Sequence, residues 1–171
     1  MAGDYTSFEV VITAIIQRKG RYLITRRAPS KKRFPGLWTV PGGHLEPADF
    51  MSYPKDTEHY WYNVLEKALK REIQEEVGLT VENVRYVTSL ATEHVDGAAS
   101  IVISCLADYQ GGELKLQENE TDRAEWVPLI EAKDYELIDG IYDELAMAEA
   151  LRTGEQGEWK RGRLGLHSTL R

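Results

Sequence analysis

Apolar and β-branched residues cluster in short runs along the chain, separated by polar or glycine-containing segments. Runs of this length and composition predict β-strands. The first two runs form a hairpin around Lys19-Gly20, and Gly111-Gly112 predicts another turn. The predicted strands cover residues 9–17, 21–26, 38–40, 81–89, 100–109 and 125–127.

Helical spacing of apolar residues occurs in three segments. One long helix is predicted over residues 57–77, where Gly78 ends it. A helical segment starts within residues 131–135, and a terminal helix covers residues 141–152. Because strands and helices interleave without regular βαβ units, the pattern predicts an α/β fold in which helices flank a mixed sheet.

Composition narrows the class of protein. The chain has 171 residues, which suits one domain with its own core. Its net charge of −7 argues against a protein that binds a nucleic-acid duplex, because such binding depends on Lys and Arg. No apolar stretch approaches the roughly 18 residues of a membrane span, and the N-terminus lacks a signal-peptide pattern. We therefore expect a cytoplasmic protein without a membrane partner.

Two smaller features complete this picture. Cys105 lies in an apolar run and is expected to be a buried, inert thiol. The last residues, from Gly154 onward, are basic and glycine-containing. We assign residues 1–153 to the domain and 154–171 to a C-terminal tail that is mobile or packed on a partner. The alternative is that Trp159 and its basic neighbours dock onto the domain or a second subunit.

The long predicted helix carries an acidic group. Glu72, Glu75 and Glu76 are spaced i, i+3 and i+4, so a helix gathers them on one face. Carboxylates this close repel one another unless a cation neutralises them. A hard cation such as Mg²⁺ takes oxygen ligands from one or two carboxylates and from substrate phosphates. The segment therefore predicts metal-assisted chemistry on a phosphate, although a solvated acidic face is the alternative.

The surrounding sequence favours the metal site. Residues 37–47 form a strand-like piece that ends in a Gly-Gly loop, and Gly78 follows the acidic turn. Together the segments resemble the Nudix box: Gly, five residues, Glu, seven residues, then Arg-Glu-aliphatic-any-Glu-Glu-any-Gly-aliphatic. Residues 71–79 match the second half at every position, and Gly43 matches the start.

The middle of this pattern departs from the family. Asp49 stands where the family has its first Glu, and it lies 22 positions before Arg71, where the family spacing is eight. About 14 residues are therefore inserted, within the segment from Asp49 to Lys67. Either Asp49 or Glu46 takes over the function of the missing Glu, or that function is lost.

The resemblance implies a Nudix-type α/β/α sandwich over about residues 8–152, and hydrolysis of a nucleoside diphosphate linked to another group. It also implies a Mg²⁺ cofactor, for which Mn²⁺ is a candidate substitute. The expected metal ligands are Glu72, Glu75, Glu76 and the backbone carbonyl of Gly43. Arg71 is expected to orient a glutamate rather than touch substrate, and we count it with Glu75 and Glu76 among the catalytic residues.

A fourth acidic group is expected outside the helix. Similar enzymes carry a Glu a few residues before a Trp-aliphatic strand, where it acts as metal ligand or general base. Glu120 is the predicted residue and Glu118 its substitute. Glu93 and His94 follow a predicted strand and are further candidates to reach the site, although a plain surface histidine is the alternative.

Substrate contacts are predicted in two segments. Arg26 and Arg27 begin a basic loop and are candidates to bind substrate phosphates, with a solvated basic edge as the alternative. The insertion contains several aromatic residues, of which Trp61 is the candidate to stack on a nucleobase. The alternative is that these residues pack against the domain or form a homodimer contact. Trp38 is expected in the core.

The expected partner is therefore a small-molecule nucleotide. The leading substrate is a nucleoside triphosphate, canonical or oxidised, cut to nucleoside monophosphate and pyrophosphate. The alternative is ADP-ribose or another nucleotide sugar. An alternative of another class is a nucleotide-binding module that keeps the fold without catalysis.

Overall fold

The computed structural model describes residues 7–155, and the predicted tail from residue 156 onward lies outside them. Seven strands form one sheet. They are β1 (Glu9–Arg18), β2 (Arg21–Arg27), β3 (Trp38–Thr39), β4 (Gly42–His44), β5 (Leu79–Glu93), β6 (Ala99–Gly112) and β7 (Thr121–Val127). Four helices accompany them: α1 (Ala48–Met51), α2 (Val64–Val77), α3 (Leu129–Ala132) and α4 (Ile141–Arg152).

The sheet is mixed. Its main order is β3-β2-β1-β6-β5, with β4 paired to β1 and β7 paired to β2. β1 and β6 run parallel over nine register pairs, and the other pairs are antiparallel. The parallel central pair requires a long connection between its strands, and this connection carries β2, α2 and β5.

Two apolar cores lie on opposite faces of the sheet. On one face, Leu69, Ile73 and Val77 of α2 pack with Ile12 and Leu23. On the other, residues of α4 pack against the sheet, where Trp38 lies in the core as predicted. The prediction of a mixed sheet between helices is confirmed, and the arrangement is an α/β/α sandwich. No helix within residues 7–155 is long and apolar enough to cross a bilayer.

The predicted long helix over residues 57–77 is wrong at its beginning, because α2 starts at Val64. Asn63, immediately before it, adopts a left-handed conformation with φ of 55°. Further upstream, Thr57 Oγ1 accepts a hydrogen bond from the Tyr60 amide at 3.0 Å, and Asp56 Oδ2 accepts one from the Tyr62 amide at 2.8 Å. These side chains satisfy backbone donors locally and compete with helix formation.

Other boundaries also differ from the prediction. The Gly-Gly segment is a short strand, β4, rather than a loop, and Gly111-Gly112 ends β6 instead of forming a separate turn. β5 is longer than predicted at both ends. The helical segment expected from residue 131 is α3, which begins at Leu129. Gly78 ends α2 in the left-handed conformation, as predicted.

Candidate active site

Helix α2 presents its acidic residues beside the sheet because its apolar residues fix its rotation. Leu69, Ile73 and Val77 are buried against the sheet. The helical repeat then carries Glu72 and Glu76 to the border of this buried face, toward β4 and β7. The packing of the apolar residues of α2 therefore places Glu72 and Glu76 beside β4 and β7.

Glu76 is the most enclosed of the three α2 carboxylates, with 9% of the residue exposed. Its Oε2 accepts a hydrogen bond from the Gly42 amide at 3.0 Å, and its Oε1 accepts one from the Thr121 hydroxyl at 2.5 Å. Among the described residues, no basic side chain forms an ion pair with it. Burial raises the pKa of Glu76, and these two hydrogen bonds oppose that shift only in part.

Glu72 lies one turn before Glu76 and against Gly43. A Cβ atom at Gly43 would overlap the carboxylate of Glu72, so the glycine leaves the space that this carboxylate occupies. Glu72 forms an ion pair with Arg71 at 3.0 Å. Burial nevertheless raises the pKa of Glu72, and Arg71 opposes that shift.

The backbone of β4 faces the site through Gly42. Gly42 and Gly43 are the register partners of Thr13 and Ile12 on β1, and the Gly42 amide donates to Glu76 Oε2 at 3.0 Å. Along a strand of an antiparallel pair, successive residues alternate: one hydrogen-bonds to the partner strand, and the next points its amide and carbonyl away from it. The predicted metal contact of the Gly43 carbonyl stays a prediction, and Gly42 is a site residue that sequence reasoning missed.

Arg71 joins several acidic groups. Its Nη1 lies 2.9 Å from Glu75 Oε2 and 3.0 Å from Glu72 Oε1. Its Nη2 donates to the His44 carbonyl at 3.2 Å. Glu75 is about half exposed, so it is the most accessible of the three helix carboxylates. Arg71 therefore contacts two of the three α2 carboxylates, and its orienting role stays a prediction.

Asp49, rather than Glu46, binds Arg71. The guanidinium Nε and Nη2 donate to the two oxygens of Asp49 at 2.5 and 3.0 Å. Asp49 is 6% exposed, and its hydrogen bonds with Arg71 lower its pKa. Glu46 contributes its backbone amide, which donates to Asp49 Oδ2 at 2.8 Å. The insertion therefore forms the connection between α1 and α2, and Asp49 and Arg71 remain in contact although 22 positions separate them.

Glu120 lies at the turn that precedes β7, next to the Thr121 that contacts Glu76. Its carboxylate forms an ion pair with Lys31, and its carbonyl accepts a hydrogen bond from the Ala28 amide at 2.9 Å. Burial lowers the pKa of Arg27. The nearby carboxylates of Glu76 and Glu120 oppose that shift, so all three groups lie close together. The structure thus brings Arg27 and Glu120 into the neighbourhood of Glu76.

Four other predicted residues form no hydrogen bond or ion pair with an α2 carboxylate within the described chain. Arg26 is bound through both sides of its guanidinium by Asp122, at 2.8 and 2.5 Å. Trp61 packs edge-on against Phe50, with ring centroids 5.4 Å apart, and donates to the Tyr53 carbonyl. His94 Nε2 lies 2.8 Å from Ser100 Oγ, and neither His94 nor Glu93 is hydrogen-bonded to an α2 carboxylate.

A pocket of about 260 Å³ lies beside α2, between this helix and the insertion. Two of its lining residues, Glu75 and its ion-pair partner Arg71, also belong to the candidate active site. The pocket is lined by Glu46, Ala48, Asp49, Tyr53, Lys67, Arg71 and Glu75. A ligand that contacts the exposed carboxylate of Glu75 can therefore extend through this pocket to Tyr53 in the insertion.

The donor set fits a hard divalent cation in chemistry. It consists of carboxylates, and two of them, Glu72 and Glu76, have pKa values raised by burial, so additional positive charge would stabilise their ionised forms. Within residues 7–155, however, no three acidic, histidine or cysteine side chains converge as a preformed metal set. Arg71 engages Glu72 and Glu75, and Lys31 engages Glu120.

Known proteins resemble this chain in sequence and fold. A model of the NUDIX domain matches residues 7–145. The NAD-capped RNA hydrolase NudC of Chromobacterium violaceum is 30% identical over 112 residues, which are 66% of this chain and 35% of that protein. The nucleoside triphosphatase NudI of Enterobacter sp. strain 638 is 36% identical over 72 residues, 42% of this chain and 41% of that protein.

The fold is shared with solved structures as well. The solution structure of the E. coli ORF135 protein has a TM-score of 0.63 and 28% identity, and the match covers 90% of this chain and 96% of that one. The chain spans about a third of the length of NudC and about two fifths of NudI. Since the family model covers most of the chain and includes the whole acidic site, this chain belongs to the Nudix family.

Proposed function

We propose that this chain hydrolyses a pyrophosphate bond in a nucleotide with the help of a divalent metal ion. The observation that carries the proposal is Glu76, a buried carboxylate whose two oxygens accept hydrogen bonds from uncharged donors only. Burying a carboxylate without a cationic partner is costly for folding, and such groups occur preferentially at functional sites. A cation bound there would remove that cost.

The metal that we propose is Mg²⁺, with Mn²⁺ as a substitute. Its proposed ligands are the carboxylates of Glu72, Glu75, Glu76 and Glu120, together with the carbonyl of Gly43. When bound, the metal polarises phosphoryl oxygens and lowers the pKa of a coordinated water.

The protein residues have separate tasks in this proposal. Arg71 holds Glu75 and Glu72 in place, and Asp49 in turn fixes the guanidinium. Asp49 thus takes the position left by the family's first Glu. Glu120 accepts the proton of the attacking water, because its carboxylate is about two fifths exposed and lies on the side of Thr121.

Substrate binding is proposed for Arg27, which lies near Glu76 and Glu120. Arg26 and Trp61 stay predictions for the same role. To bind substrate, Arg26 must release Asp122, and Trp61 must move away from Phe50. We place the enzyme in the cytoplasm as a monomer or as a homodimer through the insertion, acting on a small nucleotide without binding a duplex or a membrane.

The first candidate substrate is a nucleoside triphosphate, which would yield nucleoside monophosphate and pyrophosphate. The similarity to NudI, which is named a nucleoside triphosphatase, supports it. The second candidate is a nucleotide joined through its diphosphate to a sugar or a second nucleoside, such as ADP-ribose. The similarity to NudC, named an NAD-capped RNA hydrolase, supports a dinucleotide-type pyrophosphate over a longer alignment.

One nucleotide panel tests these alternatives. The full chain is incubated with nucleoside triphosphates, oxidised triphosphates, ADP-ribose and NAD, with Mg²⁺ or with EDTA, and products are separated by chromatography. Monophosphate and pyrophosphate identify the first class, and two monophosphates identify the second. Nucleotide binding without turnover in any reaction would contradict the enzyme and indicate a catalytically silent binding module.

A further inference from the structure

Lys31 forms an ion pair with Glu120, the residue proposed as metal ligand and general base. The two residues are 89 positions apart in the sequence. About a quarter of the Lys31 side chain is exposed, and about two fifths of the Glu120 side chain is exposed.

The backbone around Lys31 is held on both sides. On one side, the Ala28 amide donates to the Glu120 carbonyl at 2.9 Å, and the Lys31 amide donates to the Ala28 carbonyl at 3.0 Å. On the other side, Arg33 forms ion pairs with Glu9 and Asp96, each at 2.8 Å. Lys31 is therefore presented to Glu120 by an anchored segment and not by a freely moving loop.

The arrangement parallels that of Arg71. Arg71 engages Glu72 and Glu75, Lys31 engages Glu120, and Glu76 accepts hydrogen bonds from uncharged donors only. Three of the four carboxylates proposed as metal ligands, Glu72, Glu75 and Glu120, are thus paired with protein cations in the described chain, whereas Glu76 is not.

We propose that Lys31 is an exchangeable counter-ion. It occupies the Glu120 carboxylate before metal binds, and it transfers to a phosphate oxygen of the substrate when Glu120 turns to the metal. The inference rests on the proposed function, and it adds a phosphate-binding residue outside the helix. A lysine suits this exchange because its ammonium is a compact charge on a flexible stem that binds phosphate well.

The exchange has two opposite consequences. Lys31 competes with the metal for Glu120, so removing its charge should tighten metal binding by about two- to fivefold, the range expected for a partly exposed ion pair. Removing it also deletes a charge-assisted contact to phosphate, so binding of a pyrophosphate group should weaken about tenfold. If Lys31 had only a structural role, its replacement would not tighten metal binding and weaken pyrophosphate binding together.

The test compares the full-length wild type with Lys31→Met, Lys31→Arg and the matched control Lys32→Met, since Lys32 is the exposed neighbour. Mn²⁺ alone is titrated by calorimetry, and imidodiphosphate, a non-hydrolysable pyrophosphate analogue, is titrated at saturating Mn²⁺. Lys31→Met should bind Mn²⁺ more tightly and imidodiphosphate more weakly. Lys31→Arg should restore both values toward wild type, and Lys32→Met should leave both unchanged.

Different failures point to different errors. If the wild type binds Mn²⁺ and imidodiphosphate but Lys31→Met has the same two affinities, the counter-ion proposal is wrong and the proposed function stands. If Mn²⁺ binding tightens without any loss of imidodiphosphate affinity, the transfer to phosphate is wrong. If the wild type binds neither probe, the proposed function is wrong and the counter-ion proposal falls with it. A melting curve for each variant confirms that it is folded.

Discussion

Thr121 donates a hydrogen bond through its hydroxyl to Glu76 Oε1 at 2.5 Å, which joins the first residue of β7 to helix α2 across 45 positions. The Gly42 amide donates to the other oxygen, so the two hydrogen bonds together hold the Glu76 carboxylate in one orientation. Both donors are uncharged, so the carboxylate is oriented without being neutralised. That combination suits a group that must stay available to a cation.

Replacing Thr121 by valine should raise the pKa of Glu76 further, because the hydroxyl that favours its ionised form is lost. A carboxylate must be ionised to bind metal. The acid limb of the rate against pH should therefore move to higher pH, and the free energy of unfolding should fall by about 1.5–3 kcal/mol at pH 8. Rates measured from pH 5 to 9 at saturating substrate test the shift.

The matched control is Thr25→Val. Thr25 is fully buried, and within the described chain its hydroxyl has no hydrogen-bond partner. This variant should therefore keep the wild-type pH profile and should not lose stability. Equal shifts in the two threonine variants would show that the effect comes from repacking and not from the hydrogen bond to Glu76.

Replacing Gly43 by alanine should move Glu72 without unfolding the protein. The added methyl group would overlap the Glu72 carboxylate, which is the far end of a flexible side chain and can turn away. We expect weaker Mg²⁺ binding and slower turnover at a melting temperature within a few degrees of wild type. Gly111→Ala is the control, because its Cβ would meet only Thr80 Oγ1, at 3.4 Å. Normal metal affinity in Gly43→Ala would contradict the account of Glu72.

Replacing Asp49 by asparagine should remove a charged partner of Arg71. Two charge-assisted hydrogen bonds lose their anion, so the free energy of unfolding should fall by about 2 kcal/mol at pH 7. Chemical denaturation of wild type, Asp49→Asn and the exposed control Asp139→Asn measures the difference.

The same pair predicts a pH dependence with a definite sign. Arg71 lowers the pKa of Asp49 in the folded protein below its value in the unfolded chain, which is about 3.9. The folded state then gains stability above that pH and loses it as pH falls through the lower folded value. The difference between wild type and Asp49→Asn should therefore be largest near neutral pH and should shrink below about pH 4. A difference that grows on acidification would contradict the pairing.

Cys105 should react slowly with a thiol reagent in the folded protein. It is 6% exposed, and burial raises its pKa to about 11, so little reactive thiolate is present at pH 8. Titration with a disulfide reagent should label it over hours in native buffer and at once in guanidinium chloride. Rapid native labelling would show that β6 opens or that the thiol is accessible.

The sequence was most informative where chemistry depends on local spacing. The spacing of Glu72, Glu75 and Glu76 predicted that one helix carries all three, and they lie on α2, whose apolar residues are buried against the sheet. The order of strands and helices predicted a mixed sheet flanked by helices, and the resemblance to the Nudix family supplied the α/β/α sandwich. In each case the periodicity of the chain carries the information.

Other features depend on contacts between distant segments. Nothing near Thr121 or Lys31 in the sequence indicates that they meet Glu76 and Glu120, because those contacts follow from strand pairing. The start of α2 was missed because local hydrogen bonds at Asp56 and Thr57 compete with the helix. Gly42 illustrates both cases, since a Gly-Gly pair suggests close approach, but only the folded chain shows that the Gly42 amide donates to Glu76.

The most direct test of the central claim is the Mg²⁺-dependent turnover of Glu76→Gln on the best substrate of the nucleotide panel. Glutamine keeps the size and can still accept the hydrogen bond from Gly42. The claim predicts that turnover falls by orders of magnitude while the metal-free protein melts at the same or a higher temperature, because a buried charge has been removed. Glu144→Gln changes another buried carboxylate, on α4, and should keep wild-type turnover. Near-normal turnover in Glu76→Gln would contradict the claim.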